Sequence, residues 1–266
     1  MDIIRSKDNL HIKEAKKLKE KKYRILRKEF IAEGFRFVDE AINSEFYISE
    51  IFLSEHFINK EEKLLLEKNN KVNCPIYFVT DELLRSISCT ENPQGIVAVV
   101  KNRELNIKDE EGFYILADKI QDPGNMGTII RSAHASGALG VITTKGTVDI
   151  YNEKTLRSTM GSIFYTPVIQ DESFEKVKYL KQLGFKLISS SLDSNINFYN
   201  INLNGKFIIA VGNEGNGLSE DVKKISDIEV NIPMPGGAES LNAAVAASIM
   251  MFEVVRQKLN SCIDNI

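Results

Sequence analysis

In the stretch QDPGNMGTIIRSAHASGA at 121–138, a Pro123-Gly124 turn is followed by Asn125 and, six residues on, by Arg131. Asn125 can cap the helix that follows, and Gly137 is placed to end it. Arg131 sits among Ile129, Ile130 and Ala133. A lone helical arginine more often snorkels to the surface, but on a helix this apolar a guanidinium needs an anionic partner or an exit into a cleft. A second stretch, FIIAVGNEGNGLSEDV at 207–222, begins with the continuous apolar run Phe207–Val211, as expected of a strand buried on both faces of a parallel sheet. The loop Gly212-Asn213-Glu214-Gly215-Asn216-Gly217 that follows lets a ligand approach the backbone closely. Its spacing is G-x-x-G-x-G, not the G-x-G-x-x-G of a dinucleotide site, and Gly217 is followed by Leu218 and Ser219 rather than the Lys-Ser/Thr of a Walker A loop. Glu214 at its centre repels phosphate and suits a neutral or cationic ligand. The third stretch, Pro233 to Asn242, is a long turn rich in Gly and Pro, with Ser240 placed to cap the final helix.

Those loops need elements to hold them. Residues 7–28, after a candidate cap at Ser6, read as a basic helix or helix pair with a thin apolar stripe of Ile12, Ala15, Leu18, Ile25 and Leu26. From Phe30 to Val100 short strands alternate with helices, at 35–43, near 60–69 and at 81–87, which makes a compact α/β module. The charged segment 101–112 is a linker candidate. A second alternating series follows from residue 113. Its strands are FYILADKI, GVITT, FKLISSS, FIIAVG and IEVNIPM; helices lie at about 125–136, near 152–160, at 173–183, near 219–225 and at 240–258. Strands separated by helices imply an α/β fold with a mostly parallel sheet and helices on both faces, and ligands in such sheets bind beyond the carboxyl ends of the strands. The polar loops at 121–127, 143–149, 212–217 and 234–240 all follow strands. The last helix places Leu241, Val245, Ile249 and Phe252 among Ala243, Ala244, Ala246, Ala247 and Ser248, a pattern for a buried helix or a subunit interface.

The composition is that of a globular protein, 43% hydrophobic and 27% charged. Cys74, Cys89 and Cys262 are odd in number and lack CxxC spacing, which argues against a disulfide framework and a zinc site. No apolar run reaches the roughly 18 residues of a membrane span, and the amino terminus lacks the apolar core of a secretion signal, so a soluble, cytoplasmic protein is expected. The net charge of −3 hides an asymmetry. Residues 1–30 hold 11 Lys plus Arg against 5 Asp plus Glu, so the positive charge is concentrated at one end, where it forms either a landing site for a phosphate backbone or a solvated helix face.

Three blocks taken together carry a resemblance: N-x-G-x-x-x-R (Asn125, Gly127, Arg131), V-G-N-E-G-x-G-L at 211–218, and I-P-M followed by E-S-L-N-A-A-V-A (Ile232–Met234, Glu239–Ala246). In order and spacing they resemble the three motifs of the SpoU/TrmH family of RNA 2′-O-ribose methyltransferases, over residues 112–258. The 30–100 module resembles the substrate-binding domain of that family's ribosomal-RNA branch. With the basic segment at 1–29 and the linker at 101–112, the resemblance implies an RNA-binding domain at 30–100 and a methyltransferase domain at 113–266 with a deep trefoil knot. It implies S-adenosyl-L-methionine as cofactor, held near Gly212, Asn213, Gly217, Ile232, Met234 and Leu241, and no metal. Arg131 matches the catalytic arginine; Asn125, Glu214, Ser240 and Asn242 match further catalytic or orienting positions. A guanidinium does not deprotonate in proteins, so Arg131 is expected to bind the adjacent phosphate and stabilise charge on the 2′-oxygen, with that phosphate or Glu214 as proton acceptor. The expected partners are ribosomal RNA and a second copy of the chain, with neither membrane nor DNA. A transfer-RNA methyltransferase and a non-catalytic RNA-binding protein of the same fold are the alternatives.

Overall fold

The computed structural model describes residues 3–56, 74–103 and 106–263, and the described residues form two compact units. The first unit runs through Arg103 and includes Tyr151–Phe164; the second holds the described residues of 104–150 and 165–266. Among the described residues no helix is long and apolar enough to cross a membrane.

The first unit starts with β1 (Ile3–Ile4), α1 (Leu10–Lys17), α2 (Lys21–Arg27) and β2 (Glu29–Glu33). There follow α3 (Phe35–Asn43), β3 (Ile48–Ser54), β4 (Ile76–Val79), α4 (Asp81–Ile87) and β5 (Ile96–Lys101). The sheet order is β1-β4-β3-β5-β2, parallel at β1/β4 and β3/β4 and antiparallel where β5 meets β2 and β3. The basic start is a helix pair that packs on this sheet: Ile12, Ala15 and Leu18 are buried with Phe52, Leu83, Val97 and Val99, whereas Ile25 and Leu26 face solvent. Asn9, not Ser6, caps α1, its side chain accepting from the amides of His11 and Ile12; Ser6 instead turns the chain through bonds to Asp8 and Asn9. The helix expected near 60–69 lies outside the described residues.

The second unit contains β6 (Gly112–Ala117), α5 (Pro123–Ala135), β7 (Gly140–Thr143) and, after a segment belonging to the first unit, β8 (Val168–Gln170). That segment carries α6 (Glu153–Thr159) and a 3-10 turn at Ser162–Phe164. The second unit continues through α7 (Glu175–Gln182), β9 (Lys186–Ser190), β10 (Lys206–Val211), α8 (Glu220–Ile225), β11 (Ile228–Val230) and α9 (Ala243–Ile263). Its sheet, in the order β11-β9-β10-β6-β7-β8, is parallel throughout. Every residue of β6 is buried, as are Phe207–Val211 of β10, which explains their unbroken apolar runs.

Three boundaries differ from the sequence expectation for local reasons. Asp122, with Pro123 at the first helical position, caps α5 by accepting from the Asn125 amide, which frees the Asn125 side chain. Asn242 rather than Ser240 caps α9, accepting from the amides of Ala244 and Val245. Strand β11 ends at Val230 instead of continuing through Met234, since Pro233 and Pro235 have no amide to pair. Gly137 ends α5 as expected, at φ 68°.

Candidate functional site

Strands β6 and β10 are neighbours whose last paired residues are Ala117 and Val211. From β6 the chain first builds outward through β7 and β8, then returns to build β9, β10 and β11 on the other side. The loops after β6 and β10 therefore leave the sheet at its switch point, where a crevice opens. Asp118, fully buried just past β6, ties the loops together: its carboxylate accepts from the Thr144 hydroxyl at 2.7 Å and from the Ser219 amide at 2.7 Å. Lys119 follows at φ 53°, and its carbonyl accepts from Asn213 Nδ2 at 3.1 Å.

Asn213 and Gly217 close the 212–217 loop by exchanging backbone bonds of 3.0 and 2.9 Å. Asn213 Oδ1 accepts from the amides of Gly215 and Asn216, which fixes the turn from inside. Gly212 is required here, because a Cβ at that position would lie 2.2 Å from the carbonyl carbon of Gly217.

The three sequence blocks meet at Asn125. Its Nδ2 donates to Glu214 Oε1, and its Oδ1 accepts from Asn242 Nδ2 at 3.0 Å. One amide thus spans the start of α5, the glycine loop and the cap of α9. A second tie between these helices is Ser132 with Ser248, Oγ to Oγ at 2.8 Å. Arg131 is exposed on α5, opposite the buried Ile129, Ile130 and Ala133, and its side chain has no ion pair or hydrogen bond among the described residues. Gly212, Ile232, Met234 and Leu241 are half-buried and Ser240 is exposed; no side-chain hydrogen bond joins Ser240 to the Asn125 network among the described residues.

Sequence patterns miss Asp118 and the loop after β9. A single aspartate after a strand carries no periodic signal, and its partners, Thr144 after β7 and Ser219 before α8, lie far along the chain. The 191–197 loop, Ser-Leu-Asp-Ser-Asn-Ile-Asn, is as polar as the loops the sequence singles out. Strand order sets it between the loops after β10 and β11, pinned by Ser191 N to Val230 O at 2.8 Å and Asn231 N to Ile196 O at 2.8 Å, with Leu192 left exposed.

The residues present fit a cationic, partly apolar cofactor. Loops 212–217 and 231–242 contain no Lys or Arg, and their carboxylates are Glu214 and Glu239. Half-buried Ile232, Met234 and Leu241 offer apolar surface, and the closed glycine turn leaves backbone groups accessible.

A wholly parallel sheet with its loops gathered at a switch point, lacking a phosphate fingerprint and offering acceptors to a cation, defines an α/β enzyme scaffold for a small cationic cosubstrate. The chain belongs to the SpoU rRNA methylase family, whose model matches residues 112–252; the MRM3-like substrate binding domain matches residues 9–98. It is 34% identical, over 96% of its own length and 99% of the other's, to the 23S rRNA (guanosine(2553)-2′-O)-methyltransferase RlmP of Bacillus subtilis. Its fold is similar to that of the SpoU methyltransferase AviRb from Streptomyces viridochromogenes in complex with AdoMet, with TM-score 0.87, 28% identity and coverage of 94% and 98%. It is also similar to the AdoMet-bound rRNA methyltransferase from Sinorhizobium meliloti, with TM-score 0.85, 28% identity and coverage of 96% and 97%.

Proposed function

We propose that this protein transfers the methyl group of S-adenosyl-L-methionine to a ribose 2′-hydroxyl of ribosomal RNA, in the cytoplasm. The observation that carries the reading is the junction at Asn125, where residues from all three motifs meet next to the loop that Gly212 allows to close. When bound, the cofactor supplies an electrophilic methyl on a sulfonium. Gly212, Asn213, Gly217, Ile232, Met234 and Leu241 would hold it through backbone groups and apolar contact. Glu214, which accepts a hydrogen bond from Asn125, supplies negative charge, and either it or the adjacent phosphate takes the 2′-proton. Arg131, with no partner among the described residues, binds the phosphate next to the target ribose and stabilises charge developing on the 2′-oxygen. Ser240 and Asn242 set the path of the turn into α9.

Within this reading, residues 30–100 with the basic start hold RNA and residues 113–266 carry out the transfer. Lys16, Lys19, Lys21 and Lys22 form no ion pair among the described residues, whereas Lys13, Lys17 and Arg27 are engaged with Asp8, Glu14 and Glu29. The chain acts as a homodimer, for which Val245, Phe252 and Leu259 on α9 provide an exposed apolar stripe at heptad spacing. The trefoil knot belongs to the same reading. Its support is the path of residues 231–242, which leave the edge strand β11 and return to start α9 at Asn125.

Arg131→Ala tests the reading directly. Turnover on ribosomal RNA is expected to fall by about a hundredfold or more, with cofactor affinity by titration calorimetry unchanged. Near-normal turnover would overturn the assignment.

A further inference from the structure

The first unit holds a cavity of about 870 Å³, walled by the start of α3 and the loop at 89–94 and by α6 with the residues after it. The volume lies within the range of specific small-molecule and cofactor sites. Arg36 and Arg157 line it from opposite walls; both are exposed, and neither side chain has an ion pair or hydrogen bond among the described residues. Beside them, Met160 is exposed over 62% of its surface. Its position as the left-handed cap of α6, at φ 49°, accounts for its backbone but not for a large apolar side chain in solvent.

Carboxylates are present as well. Glu33 is taken up structurally, accepting from the Cys89 amide at 2.7 Å and from the Thr90 hydroxyl. Glu153 faces Cys89, and burial followed by that carboxylate pushes the thiol up to about 12, so Cys89 is a neutral side chain and not a nucleophile. The start of α3 is pre-set: Gly34 lies at φ 89°, and Gln94 Oε1 accepts from the Phe35 amide at 3.2 Å.

Unpaired guanidiniums at the walls and apolar surface between them match two parts of one ligand. A phosphate meets the arginines and a flat base meets the apolar side chains. We propose that this cleft receives an unstacked nucleotide of the RNA substrate, with Arg36 and Arg157 on its flanking phosphates and Phe35, Phe37 and Met160 along its base. The proposal rests on the ribosomal-RNA reading above. It adds a wall, α6, that comes from chain between β7 and β8 and lies outside the 9–98 segment matched by the substrate-binding family.

The test uses the full-length protein and an unmodified 23S ribosomal RNA transcript in filter binding over a series of salt concentrations. The Arg36→Ala/Arg157→Ala double variant is expected to bind RNA about tenfold or more weakly, with the slope of log K against log salt reduced by about 1.4, or 0.7 for each lost single-strand phosphate contact. Met160→Ala is expected to weaken binding about fivefold or more with the salt slope unchanged, since stacking releases no counterions. Both variants should bind S-adenosylmethionine as the wild type does, which serves as the folding control. If the double variant keeps the wild-type affinity and slope while the wild type binds RNA and transfers methyl, the cleft assignment alone is overturned. If the wild type neither binds the RNA nor methylates it, the ribosomal-RNA reading fails and the cleft assignment with it.

Discussion

Two residues show how little freedom the second unit leaves at its loops. At Gly212 the obstacle to any side chain is backbone, the Gly217 carbonyl and the Leu218 amide, which cannot rotate away as a side chain can. Gly212→Ala is therefore expected to open the Asn213–Gly217 closure and weaken S-adenosylmethionine binding about tenfold or more by titration calorimetry. Retained affinity would mean that the closed turn is not part of the cofactor site. Asn125 is the complementary case. In sequence it reads as a cap, because Asn before a helical pattern commonly is one. The structure gives the cap to Asp122 and spends both ends of the Asn125 amide on Glu214 and Asn242. That Asn125, Glu214 and Asn242 each fall in a motif was legible in the sequence. That they touch one another was not, because they stand 89 and 117 residues apart and only the sheet order brings them together.

At the scale of elements, the long apolar and amphipathic stretches were readable and the short ones were not. Strands β6 and β10 announce themselves as buried runs, and α4 falls where its cap at Thr80 and first-turn acids place it. Strands β1 and β8, of two and three residues, lie below what periodicity can resolve. Helix α9 shows both a closed and an open face. On one side buried Glu253 is gripped by Arg256 through Nε at 2.8 Å and an Nη at 2.7 Å, and also accepts from Gln257, which holds Leu203. Arg256 chiefly holds the Glu253 carboxyl below its ordinary value. A lowered folded value contributes stability that is present above the unfolded carboxylate range and lost as pH falls through the folded value. Arg256→Ala is accordingly expected to lower the melting temperature at pH 7, the gap from wild type narrowing as the pH drops below about 4. A gap independent of pH would show that Arg256 acts by packing alone. The other side of α9 exposes Val245, Phe252 and Leu259 in one row. Phe252→Asp is expected to convert a dimer to a monomer in sedimentation velocity, through burial of an unpaired charge at the proposed interface. A wild type that already sediments as a monomer would remove the homodimer from the reading.

At the scale of the whole molecule, chain order and compact units do not coincide. Residues 151–164 lie inside the span matched by the methylase family, yet belong by their contacts to the first unit. Aromatic packing accounts for this. Phe164 is 5% exposed, with ring centroids 4.9 Å from Phe37, 5.3 Å from Phe46 and 6.3 Å from Phe30, and Tyr151 stacks on Phe30 at 4.7 Å. No pattern within 151–164 reveals that destination, since its partners sit more than a hundred residues earlier. Removing residues 1–103 would thus strip the cover from Phe164 and Tyr151, so truncation is a poor way to separate RNA binding from methyl transfer. Point substitution is cleaner. Phe164→Ala is expected to cost about 3–5 kcal/mol, the usual range for truncating a buried phenylalanine, read in denaturant melts. The location of the loss decides the question. If 151–164 serves the first unit, amide exchange should speed up in β2 and α3, which carry Phe30 and Phe37, while β6 and β10 keep their protection and S-adenosylmethionine still binds. Loss of protection in β6 and β10 instead would return the segment to the methylase unit, as its place in the chain suggests.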